Sequence, residues 1–586
     1  MTVEEARALP VAPDVEGDIT PSEEPAEEEA KPLDRRTQFQ HPQAEESVHD
    51  ISYHPGIVQF YCPVTQRQKW GDSQILPRVN WGDTFFDLFF VAAAYNVGNI
   101  LVGSPNARGF LYFVGCFFPA MQMWRDKMYY DSRFVVGDDI FHRVFEAITF
   151  LVGAGGIVHI GPVEVMSNPR EHPDMFAFAL VLTVFSFMNF FGYLEVYFFG
   201  VGQPKVLKQV TLRDSLTRIL PFGLNLAATV IAGVEYFING AGGRDEKEEG
   251  GYADTAYDEK DDDHRILAAG AADPSEEAYV NDLPIYLCFG AYWAFFALLV
   301  LAVQFLFPRD GSHKNFTIPM NIAFVIHRDG EWIMLMLGES ILSLLIVDIT
   351  ENDEYYTTFF CGILTIIALQ YLHYRSQPHD PNLHAMRRDK DAGIWWGFTN
   401  GVYSCALIGV GVSYKLFLYE FTYDARRLEE EEYRMEGRVL AGADSGTGSI
   451  EERQQAAANI FSAAMATVFF TLDIMILFHR GLWFSMGRCK CRHTKKKYKG
   501  VLLTIARIAL CVFFATLSLY ENDPDHLAVL GLAGVFAQLI IRKIGSVLFA
   551  EEADGGKQKK IDPEETKWPN VTHAVAEHTK DATTKA

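Results

Sequence analysis

Apolar residues gathered into blocks of about twenty constrain this chain more than any other feature, because a block of that length matches the hydrocarbon thickness of a bilayer. Such blocks run approximately over 84–103, 109–128, 141–162, 175–199, 215–238, 284–307, 331–350, 356–374, 394–419, 457–479, 500–520 and 526–548. Helices are expected for all of them. A backbone in lipid must satisfy its own hydrogen bonds, and the blocks lack the strict alternation of barrel strands. The sequence therefore predicts an all-α polytopic transmembrane bundle of about 12 spans, with the membrane domain over 79–548.

The polar remainder explains a mean hydropathy of only +0.03. A tail over 1–66, rich in Glu, Pro and Ala, and a second tail over 551–586 carry too few large apolar residues to offset the entropy of ordering, so disordered polar tails are expected. An acidic loop covers 240–282 and a polar loop covers 421–456. The formal charge of -24 lies mostly in Met1 to Glu46, in Arg244 to Asp282 and in the Glu429 to Glu432 run, all outside the apolar blocks. That charge is a solvation property, and it points to no nucleic acid partner. No basic start leads into an apolar segment, so insertion is expected to begin with the first span rather than with a secretory signal.

Lys and Arg concentrate in the loops after even-numbered blocks. Arg125, Lys127 and Arg133 follow the second, Lys205, Lys208 and Arg213 the fourth, and Arg375, Arg387, Arg388 and Lys390 the eighth. Basic loops stay cytoplasmic, so both termini are expected on the cytoplasmic side. The exception is Tyr423 to Gln455, which carries five arginines on the opposite side and contains LEEEEYRMEGRV, a segment that reads as a helix projecting from the ninth span. The strongest basic run, RCKCRHTKKKYK over Arg488 to Lys499, fits anionic lipid headgroups at a membrane surface. Its CKCRH spacing matches no usual zinc pattern, and no metal or other cofactor is expected. Eight scattered cysteines make no disulfide framework. No P-loop, GxSxG, HExxH or Rossmann fingerprint is present, which points away from an enzyme of a familiar soluble type.

Ionisable residues inside apolar blocks are the candidate functional groups. Glu339 stands near the middle of EWIMLMLGESILSLLIVD, where a carboxylate costs about 2.5 to 3.5 kcal/mol on insertion scales. Its functional reading is a proton or cation site; the plain alternative is a neutral acid hydrogen-bonded to a neighbouring helix. Ser340 and Gly338 beside it allow close helix approach. Asp87 lies about a turn inside the first block, with Asp83 four residues earlier on the same helical face. Arg143 and Glu146, at i and i+3, fit an internal ion pair or a partner for an acid elsewhere. Arg133 is one of the charges of the second connection. His159, Glu195, Asp473 and His327 sit at or near spans, where an interfacial or locally paired role is the first expectation.

Three stretches in order, FFDLFFV at Phe85 to Val91, WRDKMYYDSRFVVGDDIFHR from Trp124, and HRDGEWIMLMLGESIL from His327, resemble the low temperature requirement A family of polytopic membrane proteins. The resemblance extends over roughly Val79 to Leu548, weakly in the last third. It implies a helical membrane fold and marks Phe86, Asp87 and Leu88, then Trp124, Arg133, Asp139 and Arg143, then His327, Arg328, Gly338, Glu339 and Ser340. Asp329 and Glu331 add charge where the family has a plainer apolar run, and the acidic loop and tails are also departures. The family name records a growth trait, so the resemblance implies no substrate.

These readings converge on a transporter-like protein that binds a proton, a cation or a small polar solute at buried carboxylates. Glu339, Asp87, Ser340, Arg143, Arg133 and His327 form the candidate site. Two alternatives stay open: an intramembrane lipid-modifying enzyme, which needs histidine and carboxylate at one depth, and a non-catalytic scaffold or sensor.

Overall fold

Helix starts in this chain are set by short polar side chains just ahead of apolar runs. The side chain of Asn106 accepts from the Gly109 amide at 2.9 Å, Asp139 from His142 at 2.8 Å, Asn321 from Phe324 at 3.1 Å and Asn352 from Glu354 at 2.9 Å. Each bond satisfies a first-turn amide that the helix itself leaves open.

The structure is a computed structural model that describes residues 59–68, 81–136, 139–199, 205–239, 279–301, 318–350, 352–378, 383–388, 390–435, 450–479 and 494–555. In chain order, the strand β1 (Thr65–Gln66) is followed by α1 (Trp81–Gly103), α2 (Ala107–Arg133), β2 (Phe134–Val135), α3 (Ile140–Val158), the short α4 (Val163–Ser167), α5 (Asp174–Phe199), α6 (Lys205–Leu216) and α7 (Ile219–Val234). Then come α8 (Leu283–Leu301), α9 (Ile322–Leu345), α10 (Asp353–Tyr374), the short α11 (Ala385–Arg388), α12 (Lys390–Met435), α13 (Ile450–Phe478), α14 (Thr494–Thr516) and α15 (Pro524–Gly555). Within the described residues, every apolar block of the sequence overlaps one of these long helices. α12 continues without a break to Met435, through most of the LEEEEYRMEGRV segment.

Among the described residues, ten helices are long and apolar enough to cross a membrane. α2 and α9 are also long, at 27 and 24 residues, but carry more charge. The charge decides their place. α9 packs against α12, α1, α10 and α2, and its Arg328, Asp329 and Glu339 are buried against protein. α12 is the central pillar: 83% of its most apolar window is buried, against 28% for α3, α8 and α14. The peripheral helices turn large apolar side chains outward, as at Leu151, Val158, Phe198, Ile505, Ile508 and Val547. An apolar exterior around a charged interior is the arrangement that a lipid solvent selects. The chain is a multi-pass integral membrane protein.

One close crossing holds the two inner helices together. A Cβ built on Gly411 of α12 would fall 2.7 Å from the Cα of Ser340 on α9, so only a glycine lets the backbones meet there. The Ser340 hydroxyl then reaches the Leu407 carbonyl across the interface at 3.0 Å.

The segment Gln59–Gln68, which the sequence placed almost wholly in the N-terminal tail, lies along one end of the bundle. Thr65 and Gln66 pair antiparallel with Val135 and Phe134. The amides of Ile140 and Phe141 donate to the carbonyls of Gln59 and Phe60. Val64 is buried against Phe134, Tyr193 and Val196. Residues 1–58, most of the acidic loop (240–278), the middle of the polar loop (436–449) and the C-terminal tail from 556 lie outside the described residues. Of the basic run, 488–493 also lie outside them, and 494–499 open α14.

Candidate functional site

Helical geometry puts a base and an acid on one line. From Arg328 to Glu339 is eleven residues along α9, about three turns and roughly 16 Å, which brings both side chains to nearly the same face. That face looks at α1, whose Asp87 and Asn99 are twelve residues apart. Charged groups therefore gather at two levels between the same helices.

At the first level Asp87 is fully engaged. Arg328 grips it with both terminal nitrogens, Nη2 to Oδ1 at 2.7 Å and Nη1 to Oδ2 at 2.8 Å. The Trp124 indole donates to Oδ1 at 2.8 Å. Such a fork on a carboxylate is the strongest common ion pair. The guanidinium also lies over the Trp124 ring, and Trp124 packs on Trp332 with centroids 4.7 Å apart. Around this unit, Glu331 takes Arg328 at 2.7 Å and His327 at 3.2 Å. Lys127 bridges Asp83 at 3.0 Å and Asp131 at 2.6 Å. Positive and negative groups alternate, and the acids are locked.

The second level differs. Glu339 is 2% exposed, and Ser343 Oγ donates to its Oε1 at 2.9 Å. Its other oxygen, Oε2, has no hydrogen-bond partner among the described residues. The cation that acts on it electrostatically is Lys415 of α12, yet the Lys415 ammonium is hydrogen-bonded to Asn99 Oδ1 at 2.8 Å. It stands over the rings of Tyr95 and Tyr419. A buried carboxylate with an open oxygen, near a cation that bonds elsewhere, can accept a proton or a small cation.

The structure separates the remaining candidates from Glu339. Ser340, although adjacent, turns to the α12 backbone. His327 is half-exposed beside Glu331. Arg133 reaches Asp214 at 3.2 Å and the Tyr193 hydroxyl at 3.4 Å. Arg143 is 60% exposed and pairs with Glu146 at 3.0 Å on the outer side of α3. Asp87 is on α1 and is held by Arg328, which stands about three turns from Glu339 along α9. His159 pairs with Asp174 at 3.0 Å. Gln538 donates to Asp473 at 3.0 Å, and Arg507 and Arg542 approach the same carboxylate.

Glu195 belongs to a third charged group. His142 of α3 is held by Asp139 through Nδ1 at 2.6 Å and by Glu195 through Nε2 at 2.9 Å. Tyr61 donates to the same Glu195 oxygen at 2.9 Å, and the Cys62 amide donates to Asp139 at 2.9 Å. With a carboxylate at each ring nitrogen, the imidazole ties the Gln59–Gln68 segment to α3 and α5. Burial opposes ionisation of Asp139, but the His142 and Cys62 bonds outweigh it and hold the carboxyl below its usual range. Burial and the bond to Glu195 push the Tyr61 phenol up.

Sequence reasoning missed Lys415 as a site residue, although a lone lysine inside the 394–419 block is the same signal that singled out Glu339. It also counted Arg125 among loop charges and read Asp329 only as an added charge, whereas both are buried. Comparison with protein-family models, with curated proteins and with solved structures finds no match to this chain.

Proposed function

We propose that the protein is a transporter-like membrane protein in which Glu339 takes up and releases a proton or a small cation, with Lys415 as the neighbouring internal charge. One observation carries this reading: the deeply buried Glu339 carboxylate keeps an oxygen without a hydrogen-bond partner among the described residues, while Asp87, Asp83, Asp131, Glu331, Asp139 and Glu195 are each committed to a cation or a ring nitrogen. Membranes seldom retain such a side chain except on an ion or proton route.

The low temperature requirement A reading belongs to the same proposal. Its support is that Asp87, Trp124 and Arg328, one from each of the three resembling stretches, meet in a single hydrogen-bonded unit. The enzyme alternative needs a histidine at the depth of Glu339. His159 and His327 are occupied by Asp174 and Glu331 instead, which favours transport.

The test is flux in vesicles that hold the purified full chain, read with an internal pH dye and with a panel of monovalent cations. Glu339→Gln is expected to abolish proton- or cation-coupled flux while the variant inserts and elutes as the parent does. Equal flux in parent and variant sinks the proposal.

A further inference from the structure

Apart from the two levels along α1, a pair of opposite charges is buried between α2, α9 and α12. Arg125 is 6% exposed and Asp329 is 4% exposed. Adjacent residues of α12 lie against both side chains. Asn400 donates to Asp329 Oδ1 at 3.1 Å, and a Cβ built on Gly401 would lie 3.4 Å from Arg125 Nη1. The two charges act on each other electrostatically. They form no direct hydrogen bond, since Arg125 Nε and Nη2 and Asp329 Oδ2 are buried without a hydrogen-bond partner among the described residues. The next cation along α9, Arg328, is committed to Asp87 and Glu331. Arg125 also acts electrostatically on Tyr129 and Tyr292.

The open atoms define the complement they require. Two guanidinium nitrogens call for an acceptor with two oxygens, which a carboxylate supplies in a planar fork. The open carboxylate oxygen calls for a donor, and an ammonium supplies both the proton and the opposite charge. A water molecule could bridge such atoms, but it supplies neither the two-oxygen acceptor nor the charged donor. A single small molecule with a carboxylate at one end and an ammonium at the other meets both demands. We propose that Arg125 and Asp329 bind a small zwitterion of the α-amino acid class, the carboxylate on Arg125 and the ammonium on Asp329, with Asn400 orienting the aspartate.

This site is separate from Glu339, and its test is equilibrium binding, so either reading can fail alone. The full chain in lipid nanodiscs would be titrated with radiolabelled glycine and L-alanine, and in parallel with acetate and methylammonium, which each carry one of the two charges. Saturable binding of an amino acid, at least tenfold tighter than either single-charge probe, is the expected result. Arg125→Gln and Asp329→Asn should each weaken it tenfold or more, and Arg170→Gln, at the half-exposed pair with Glu235, should not. Failure of both amino acids to bind the parent protein, or binding of acetate or methylammonium as tight as that of glycine, overturns the proposal without recourse to any variant. Full binding in either the Arg125→Gln or the Asp329→Asn protein overturns it as well.

Discussion

Asp87 and Glu339 are both acids buried on or against the same helix face, yet one is surrounded by partners and the other is short of them. Asp87 receives a two-pronged guanidinium and an indole N–H. Glu339 receives one serine hydroxyl. Burial alone therefore does not distinguish structure from function in this bundle. The count of partners does: a saturated acid fixes helices in place, whereas an under-partnered one has capacity left for a ligand.

The sharpest way to break this comparison is Asp87→Ala. It leaves Arg328 buried with its main counter-charge removed, which should cost about 3 to 5 kcal/mol. Thermal unfolding of the detergent-solubilised protein should show a collapse of stability; a variant as stable as the parent would mean that Asp87 is no more structural than Glu339.

The His142 cluster extends the saturated class to the segment outside the spans. His142→Ala removes a donor shared by two carboxylates, an effect of about 1.5 to 3 kcal/mol for bonds to charged groups. Amide exchange over residues 59–68 should then accelerate at least about tenfold, while exchange in α12 stays unchanged. Equal acceleration in α12 would show that the cluster supports the whole bundle.

Glu339→Gln should alter stability by no more than about 1 kcal/mol, because the amide oxygen can still accept from Ser343. A loss as large as that from Asp87→Ala would put both acids in the structural class and remove the contrast.

The smallest effect concerns acid. The Asp139 carboxyl is held below its usual value in the folded chain, so its contribution is present above the ordinary carboxylate range near pH 4 and is lost as pH falls through its depressed value. After correction for the intrinsic pH dependence of amide exchange, protection over residues 59–68 should hold down to about pH 4 and fall only below that. Release of the segment at higher pH would show that Asp139 is not what holds it.

Much of the fold was legible because lipid imposes a simple rule. A run of about twenty apolar residues has to be a helix, and within the described residues each such run overlaps a helix here. Glu339 was legible for the same reason, as an acid where acids are costly. Arg143 was misread because its i, i+3 spacing to Glu146 says that the two can touch, but not which way that side of α3 faces, and it faces outward. The 59–68 segment was misplaced because two-residue strands carry no periodicity. Its order comes from β2 and from the His142 cluster, neither of which is local to it.

The sequence by itself determined the class of solvent, the helices and the presence of acids among them, since these follow from local runs of side chains and the energetics of transfer into hydrocarbon. Only the tertiary structure decided which acid is saturated. The partner of Asp87 lies 241 residues away, and the cation nearest in effect to Glu339 sits on α12. Partnership between buried charges is set by which helices touch and at what depth, and no local pattern encodes that.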